Sequence, residues 1–296
     1  MNYEQLISPR QLKELLSRYN LAWRKQWGQN FLIDRNIVQK ILDEVEAAPR
    51  DHILEIGPGP GVLTLPMLEA GAEVTAVEID RGLMQILKDM VGEAPGFHPV
   101  QADVQKVDLA QLCKWQGGEP RTIKVVANLP YYITSPLMYR LLDRELPWEK
   151  AVLMMQKEVA HRLTAPPSTP EYGALSVLVA TCAVVQNTFP VSRNVFYPAP
   201  GVDSTVVSLL PRKEGNLLND PGLFKQIVKE AFKQRRKTIV NTLPSLLSCN
   251  KEEFKNMLEA VQISPGSRAE ELSAEEFAKL SELIYNKRQK NSTSAP

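Results

Sequence analysis

Short apolar runs and amphipathic segments alternate along the chain after Pro49. The intervening segments space their apolar residues three and four apart, which is typical of helices that cover one face of a sheet. Regular alternation of strands and helices predicts a parallel sheet with helices on both faces. The five strand candidates of this region are His52–Ile56, Glu73–Ile79, Phe97–Gln101, Thr122–Ala127 and Ala151–Gln156.

The apolar pattern continues with a helix candidate, Ala174–Cys182, and two further strand candidates, Val184–Phe189 and Asp203–Leu210. A short connection rich in proline joins these two strands, so we expect them to be antiparallel. They would complete a sheet of seven mostly parallel strands. The fold class predicted from the pattern is therefore α/β, with a mostly parallel seven-stranded sheet.

The pattern becomes all-helical from Pro211 onward. Asp220 and Pro221 are typical of a helix start, and we expect the helix to continue to about Val240. We therefore predict two domains, an α/β domain over residues 1–211 and a small helical domain over residues 212–296. The polar stretch from about residue 287 is expected to be disordered.

Composition narrows the class of protein. Of 296 residues, 44% are hydrophobic and 23% are charged, as in an ordinary soluble protein. The three cysteines are far apart, which argues against a disulfide framework, and the three histidines are equally scattered, so we predict no metal site. The N-terminus lacks a signal-peptide core, and the longest apolar run, residues 174–185, is too short to span a bilayer. We expect a cytoplasmic protein with no membrane partner.

Charge is unevenly divided although the net charge is only +1. Residues 212–296 hold 15 Lys and Arg against 11 Asp and Glu, hence +4, and the remaining chain holds 20 against 23, hence −3. A basic helical domain favours a polyanionic partner, although chance asymmetry explains the charge equally well.

Candidate chemistry gathers at the ends of the first three predicted strands. Gly57, Gly59 and Gly61 follow the first strand, where glycine allows a tight turn close to a ligand. Glu78 ends the second strand and could accept from both hydroxyls of a ribose, while Asp103 follows the third and could accept from an adenine amine. The alternative for both acids is a solvated charge at a strand end.

This arrangement fits any ligand that carries adenosine, so it does not by itself separate a dinucleotide from S-adenosylmethionine. Two observations favour the methyl donor. The glycines are spaced Gly-x-Gly-x-Gly instead of Gly-x-Gly-x-x-Gly. The residues after the fourth strand are also not those of a hydride-transfer site, which leaves a nicotinamide oxidoreductase as a distant alternative.

The fourth strand ends at Asn128-Leu129-Pro130-Tyr131. Asn128 offers a side-chain carbonyl that can accept from an amine. Pro130 has no N–H, which leaves the backbone carbonyl of Leu129 available as a second acceptor. Tyr131 offers a face for stacking a base, and Phe196 is either a second stacking aromatic or a core residue. The alternative for the whole motif is a strand-ending turn.

Six motifs in order give the chain a specific resemblance to the ribosomal RNA adenine dimethyltransferases of the bacterial small-subunit (16S) type. They are Gly28–Leu32, Glu55–Gly61, Asn128–Tyr131, Val195–Ser204, Phe232–Lys237 and Arg268–Leu272. The match covers about residues 20–285 and departs from the family at Trp27 and after Tyr131, where Tyr132 begins an unusual sequence. Both departures lie at the rim of the expected pocket.

The resemblance implies a Rossmann-like methyltransferase fold and dimethylation of two adjacent adenines in a hairpin loop near the 3′ end of 16S rRNA. The implied partner is thus 16S rRNA or a precursor of the small ribosomal subunit, and we expect a monomer. The resemblance also implies that S-adenosylmethionine is bound by Asn30, Leu32, Gly57, Glu78, Asp103 and Asn128, to which the glycine pattern adds Gly59.

The candidate RNA contacts lie in the basic motif of the helical domain. On the predicted helix of residues 220–240 five cations share one side, and Arg235 turns toward the apolar stripe, where it could serve the domain interface. The full set is Lys225, Lys229, Lys233, Arg235, Arg236 and Lys237. A solvated helix face is the alternative for this set.

Two rival functions remain at this point. The first is a 23S rRNA adenine methyltransferase that confers antibiotic resistance, against which the motifs Phe232–Lys237 and Arg268–Leu272 argue. The second is a non-catalytic RNA-binding assembly factor, against which the intact Glu78, Asp103 and Asn128 argue.

Overall fold

The structure is a computed structural model that describes residues 3–21, 29–112, 122–129, 134–141, 146–212, 218–247 and 249–293. The helices are α1 (Pro9–Arg18), α2 (Arg35–Val45), α3 (Thr64–Glu69), α4 (Arg81–Val91), α5 (Leu109–Leu112), α6 (Thr134–Leu141), α7 (Lys157–Thr164), α8 (Ala174–Cys182), α9 (Pro221–Phe232), α10 (Ile239–Thr242), α11 (Pro244–Leu247), α12 (Lys251–Ala260) and α13 (Ala274–Thr293). The strands are β1 (Phe31–Leu32), β2 (His52–Ile56), β3 (Glu73–Glu78), β4 (Phe97–Gln101), β5 (Ile123–Asn128), β6 (Trp148–Gln156), β7 (Ala183–Val191), β8 (Phe196–Tyr197) and β9 (Ser204–Pro211).

The chain forms two compact units, Met1–Ala160 with Val185–Pro211, and His161–Val184 with Arg212–Pro296. We call them unit one and unit two. The sequence predicted a single domain boundary at residue 211. In the structure the segment 161–184 belongs to unit two. Its helix α8 is almost entirely apolar, and it packs against α9 and α13, which remove that surface from water.

A seven-stranded sheet organises unit one in the order β4-β3-β2-β5-β6-β9-β7. The five strands from β4 to β6 pair in parallel, and β9 runs antiparallel to β6. The predicted α/β class is confirmed. β2 and β4 have the predicted bounds, and β6 begins three residues earlier than predicted because Trp148 pairs with Ile123.

Side-chain caps set the starts of the helices that flank the sheet. The Asp34 carboxylate accepts from the backbone N–H of Ile37 at 3.0 Å and begins α2. The Asp80 carboxylate accepts from Gly82 and Leu83 at 2.7 and 3.3 Å and begins α4. These caps satisfy N–H groups that have no partner inside their helix, so each helix starts at a fixed position relative to the strand before it.

The helix expected to reach Val240 ends instead at Phe232. Residues 233–237 form turns, and α10 starts afresh at Ile239, whose N–H donates to the Ser267 carbonyl at 2.9 Å. The apolar stripe that holds α9 on the core stops at Phe232, and Lys233 and Lys237 would repel each other one helical turn apart. The row of five cations on one helix was therefore a wrong prediction.

The C-terminal helix also differs from expectation. α13 continues to Thr293, past residue 287, from which we expected the chain to be disordered. This stretch contains no Gly or Pro that would end a helix, and Lys, Arg and Gln have favourable helix propensities. Its composition therefore allows the helix to extend past its packed segment, although every residue from Lys287 to Thr293 is polar.

Candidate active site

A cavity of about 1220 Å³, including space open to solvent, lies at the carboxyl ends of the parallel strands. The predicted site residues that line it are Asn30, Leu32, Gly57, Gly59, Glu78, Asp103, Asn128, Leu129 and Phe196. The structure thus brings together residues from six separated stretches of chain. Pro130 and Tyr131 lie outside the described residues, as do Trp27 and Tyr132 at the expected rim.

The glycine turn after β2 requires its glycines for different reasons. Gly57 and Gly59 have φ of 69° and 57°, in the left-handed region that side chains disfavour. Gly61 has φ of 101°, and a Cβ there would lie 2.6 Å from a methyl carbon of Leu87. Because the turn is tight, the Gly57 N–H donates to the Val77 carbonyl at 2.9 Å and the Gly59 N–H points to β3.

Glu78, at the end of β3, receives two backbone hydrogen bonds. Its Oε2 accepts from Gly59 N–H at 3.2 Å, and its Oε1 accepts from Asp80 N–H at 2.9 Å. Only 6% of the residue is exposed, and this burial raises its pKa to about 7 although the backbone donors act in the opposite direction. Glu78 is thus a carboxyl group that changes charge near neutral pH and faces the cavity.

Glu55 also faces the cavity, and the sequence reasoning assigned it no role. It is 2% exposed and accepts from the Thr64 hydroxyl at 2.6 Å. Burial raises its pKa to about 8, to which the charge of Glu78 contributes, so the carboxyl is mostly protonated at pH 7. Its position as the first residue of the Glu55–Gly61 motif was the available signal, but nothing in the pattern of residues indicated its protonation.

Asp103 sits in the turn after β4. Its Oδ1 accepts from Gln105 N–H at 2.9 Å, and its Oδ2 lies 3.7 Å from Lys106 Nζ. The Asp103 side chain is 27% exposed and the Lys106 side chain 85%, so water screens this ion pair and it contributes little to stability. The carboxylate therefore remains able to accept from a ligand in the cavity.

Asn128, at the end of β5, has a fixed amide orientation. Its Nδ2 donates to the Asn30 carbonyl at 3.1 Å, so the side-chain Oδ1 is the atom left to accept from a ligand. The neighbouring Leu129 N–H donates to the Met154 carbonyl at 2.9 Å, which extends the pairing of β5 and β6 by one residue. Two hydrogen bonds to residues that are distant in the sequence thus hold the start of the predicted acceptor motif in place.

A two-stranded ribbon that the sequence reasoning missed forms another wall of the cavity. β1 and β8 pair antiparallel, Phe31 opposite Tyr197 and Leu32 opposite Phe196. Phe196 is 4% exposed, packs in the core of unit one and also lines the cavity, so the two interpretations of this residue are compatible. Strands of two residues are too short to produce a recognisable alternation in the sequence.

The basic candidates of unit two divide into two groups. Lys225 and Lys229 lie on α9, and Lys233, whose Nζ is 2.5 Å from Glu230 Oε2, follows directly after it. Arg236 and Lys237 are exposed in the turn that follows.

Arg235 has a different role from its basic neighbours. It donates to the carbonyls of Pro170 and Tyr172 at 3.2 and 2.8 Å and lies 3.4 Å from a Glu270 oxygen. These partners all belong to unit two. The interactions of Arg235 therefore stabilise the loop of unit two that precedes α8.

The described ranges contain neither a metal centre nor a membrane span. Within them, no group of three His, Cys, Asp or Glu side chains is arranged to hold a metal ion. None of the helices seen in those ranges has the length and apolar character needed to cross a membrane.

Comparison with known proteins adds independent information. Residues 20–286 match the family model of ribosomal RNA adenine dimethylase. Ribosomal RNA small subunit methyltransferase A of Natranaerobius thermophilus is 40% identical over 296 residues, which cover 95% of this chain and 98% of the relative. The protein of the same name from Clostridioides difficile is 41% identical over 286 residues, which cover 96% and 98%.

Solved structures give the same picture. A dimethyladenosine transferase from Plasmodium falciparum has a TM-score of 0.70 and 27% identity, covering 87% of this chain and 98% of its own. The 23S rRNA methyltransferase ErmE has a TM-score of 0.60 and 26% identity, covering 86% and 100%. The family match spans most of the chain, and the curated relatives are of matching length. The chain belongs to the ribosomal RNA adenine dimethylase family and is an rRNA methyltransferase.

Proposed function

We propose that the protein transfers methyl groups from S-adenosylmethionine to the 6-amino groups of two adjacent adenines in the 3′-terminal hairpin loop of 16S rRNA. The observation that carries the proposal is the meeting of two sets of residues in one cavity. Glu78 and Asp103 could accept hydrogen bonds from an adenosine. Asn128 and Leu129, which line the same cavity, could accept from the amine that is to be methylated. The names of the curated relatives support the small subunit as the substrate.

The residues of the cavity fit the proposed donor. Glu78 would accept from the ribose hydroxyls and Asp103 from the adenine amine, while the turn of Gly57 and Gly59 allows the ligand to approach the backbone. Asn30 and Leu32 would complete the pocket from β1 and the residue before it. When bound, S-adenosylmethionine supplies a methyl group that its sulfonium already activates.

The acceptor amine is the less reactive partner because its lone pair is delocalised into the adenine ring. Asn128 Oδ1 and the Leu129 carbonyl would accept its two hydrogens and favour a tetrahedral, nucleophilic nitrogen. The hydrogen bond from the Asn128 Nδ2 to the Asn30 carbonyl supports this role, because it leaves the Asn128 Oδ1 to accept from the amine. Positioning of this kind can contribute about 7–11 kcal/mol to lowering a barrier.

The target base must leave its stack, which costs a few kcal/mol and less in a hairpin loop. Stacking on Tyr131 and on Phe196 would offset this cost by about 1–3 kcal/mol per base. Pro130 would support the same motif because its ring fixes the backbone φ angle and stiffens the loop. No metal is required by this chemistry.

Unit two would provide contacts to the RNA backbone. Lys229, Arg236 and Lys237 are exposed, and Lys225 lies on the same helix as Lys229. We leave Arg235 out because its guanidinium is engaged within unit two, and Lys233 contributes less because Glu230 partly neutralises it. In this proposal the protein acts as a monomer in the cytoplasm, where the small ribosomal subunit is assembled.

The direct test is mass spectrometry of 16S rRNA after incubation with the protein and the donor. Two dimethyladenosines in the 3′-terminal hairpin are expected, and 23S rRNA should remain unmodified. Methylation of 23S rRNA alone would establish the rival substrate. Donor binding without methylation of either RNA would instead favour the non-catalytic assembly factor.

Asn128→Ala tests the role of the acceptor residue. Turnover should fall by orders of magnitude while RNA affinity remains, because the side chain acts on the geometry of the reacting amine. Asn36→Ala, an exposed change on α2 of the same unit, is the matched control. Turnover of Asn128→Ala at the wild-type level in saturating donor and RNA would refute the assignment.

The RNA surface is tested by reversing the charge at Lys229, Arg236 and Lys237 together. Removal of each phosphate interaction should flatten the slope of log affinity against log salt by about 0.7–0.9, so the total change is roughly two to three. Reversal of three exposed cations of unit one, Lys13, Arg18 and Lys40, changes net charge equally and serves as the control. If only the control variant loses affinity, the RNA footprint lies on unit one.

A further inference from the structure

Arg140, near the end of α6, makes an unusual pair of contacts. Its Nη1 donates to the Val104 carbonyl and its Nη2 donates to the Val107 carbonyl, the latter at 2.6 Å. Both acceptors are backbone atoms of the turn that follows β4. The planar guanidinium therefore bridges two carbonyls with two separate N–H donors.

The turn held by Arg140 is the one that carries Asp103. The N–H groups of Lys106 and Val107 donate to the Asp103 carbonyl at 2.9 and 3.0 Å, so residues 103–107 form a single helical turn. Val104 is buried, and it lines the cavity together with Asp103. A turn this short has carbonyls with no partner inside it, and Arg140 supplies donors and a positive charge for two of them.

The helix that carries Arg140 is anchored in the core. Its helix α6 places Leu137 and Met138 in the core, where neither is exposed. In the sequence α6 follows the acceptor motif that begins at Asn128. The Arg140 side chain thus connects α6, the helix after the acceptor motif, to the turn that carries Asp103, the residue proposed to accept from the adenine amine. Arg140 is not among the described residues that line the cavity, so any effect on the donor must pass through the turn.

We propose that Arg140 is a positioning residue that sets the distance and orientation of the Asp103 carboxylate for recognition of the donor's adenine amine. The inference rests on the proposed function, which makes Asp103 the acceptor for that amine. Lysine cannot replace arginine fully here, because an ammonium on a flexible stem does not match two fixed carbonyls as the rigid fork does.

A purely structural brace would have a different signature. Loss of a brace lowers the melting temperature and weakens all donor analogues by one common factor. Loss of a positioning residue also reduces the ability to distinguish an amine from an oxygen at position 6 of the purine. S-adenosylhomocysteine carries an amine at position 6, whereas S-inosylhomocysteine carries an oxygen there and a proton on the adjacent N1. Calorimetry with these two probes therefore separates the two roles.

We expect the wild-type protein to prefer S-adenosylhomocysteine over S-inosylhomocysteine, because a carboxylate accepts from the amine and repels the oxygen. Arg140→Met should reduce this preference by about fivefold or more, and Arg140→Lys should reduce it less. Arg212→Met is the matched control, since Arg212 also donates to a backbone carbonyl, that of Ala180, within unit two. It should leave the preference unchanged.

The outcomes separate this inference from the proposed function. If the wild-type protein binds neither probe, the donor assignment fails, and the role of Arg140 fails with it. If it binds both equally, Asp103 does not read the amine, and the role of Arg140 is again refuted. If the wild-type protein discriminates and Arg140→Met does so equally well, only the role of Arg140 is refuted. Should Arg140→Met not fold, Arg140→Lys decides by the same comparison.

Discussion

Acidic residues have different partners at the two ends of the parallel strands. At the amino ends, Lys124 lies 2.7 Å from an Asp51 oxygen. There Lys150 lies 3.3 Å from Glu44 and 2.9 Å from Glu46. At the carboxyl ends, Glu55 and Glu78 accept from a hydroxyl and from backbone N–H groups. No Lys or Arg in the described part of the chain pairs with either.

The pKa values follow this difference. A hydrogen bond from Lys150 and its charge lower the pKa of Glu46, whereas burial raises the pKa of Glu55 to about 8 and of Glu78 to about 7. Paired acids stabilise the sheet, while an acid left without a cation is available to a ligand that brings hydrogen-bond donors or positive charge. The comparison therefore separates the end of the sheet that supports the fold from the end that supports binding.

Glu78→Gln should produce the largest effect, a loss of donor affinity on the order of a hundredfold. The ribose hydroxyls would lose an ionised acceptor, and hydrogen bonds to a charged group contribute about 1.5–3 kcal/mol each. Calorimetry with S-adenosylmethionine measures the change. Asp51→Asn removes a carboxylate at the amino end, and its donor affinity should equal that of the wild-type protein. Equal losses of donor affinity in both variants would contradict the conclusion that only the carboxyl ends of the strands support binding.

Glu55→Gln should change how stability depends on pH. The folded state holds the Glu55 proton up to about pH 8, whereas the unfolded chain releases it near the ordinary pKa of 4.5. Unfolding therefore releases a proton between these values, and the stability of the wild-type protein should fall as the pH rises through this window.

Glutamine has no proton to lose and keeps an acceptor for Thr64. Glu55→Gln should therefore have a flatter curve of stability against pH and exceed the wild-type stability at pH 8 by about 2 kcal/mol or more, since each unit of pKa shift corresponds to about 1.4 kcal/mol. Urea unfolding at several pH values provides the measurement. Parallel curves for the two proteins would show that Glu55 is not protonated in the fold.

Donor affinity should rise with pH through about 7 and then level, because Glu78 must be ionised to accept from two hydroxyls. At pH 6 the affinity should be about tenfold below the plateau, as expected for a single group one unit below its pKa. A titration series by calorimetry tests the profile, and Glu78→Gln should lack it. A wild-type profile that is flat from pH 6 to 8 would place the pKa of Glu78 well below 7.

Lys150→Met should have the smallest effect on donor affinity, which should not change. The substitution removes the cation shared by Glu44 and Glu46 but keeps the apolar stem. Because the side chains of Lys150 and Glu44 are only 12% and 16% exposed, we expect a loss of unfolding free energy of about 3 kcal/mol. Thermal unfolding in low and high salt measures this loss, which should change little with salt because the ion pair is largely buried. A tenfold loss of donor affinity would show that the amino ends also serve the site.

Features that depend on neighbouring residues could be predicted from the sequence. The alternation of apolar residues located β2 and β4 with the observed bounds, and the Ala174–Cys182 helix is also as predicted. The glycine turn followed from residue chemistry alone, because Gly57 and Gly59 adopt the left-handed backbone that only glycine adopts readily. These signals are local, and no distant contact competes with them.

Features that depend on distant contacts could not be predicted. The ribbon of β1 and β8 exists because Leu32 meets Phe196 across the fold. The end of α9 depends on where the core of unit two stops, and Arg235 could not be assigned without its partners Pro170 and Tyr172. The protonation of Glu55 depends on how many side chains exclude water from it, and a sequence pattern does not report that number.

The ribbon also determines when the binding site can exist during synthesis. Leu32 belongs to the first part of unit one and Phe196 to its last part, yet they pair directly and both line the cavity. A nascent chain that ends before Tyr197 can form most of the parallel strands but lacks this wall of the pocket. Ligand binding by nascent chains of increasing length should therefore begin only once the ribosome has released β8, which makes the binding site a late product of folding.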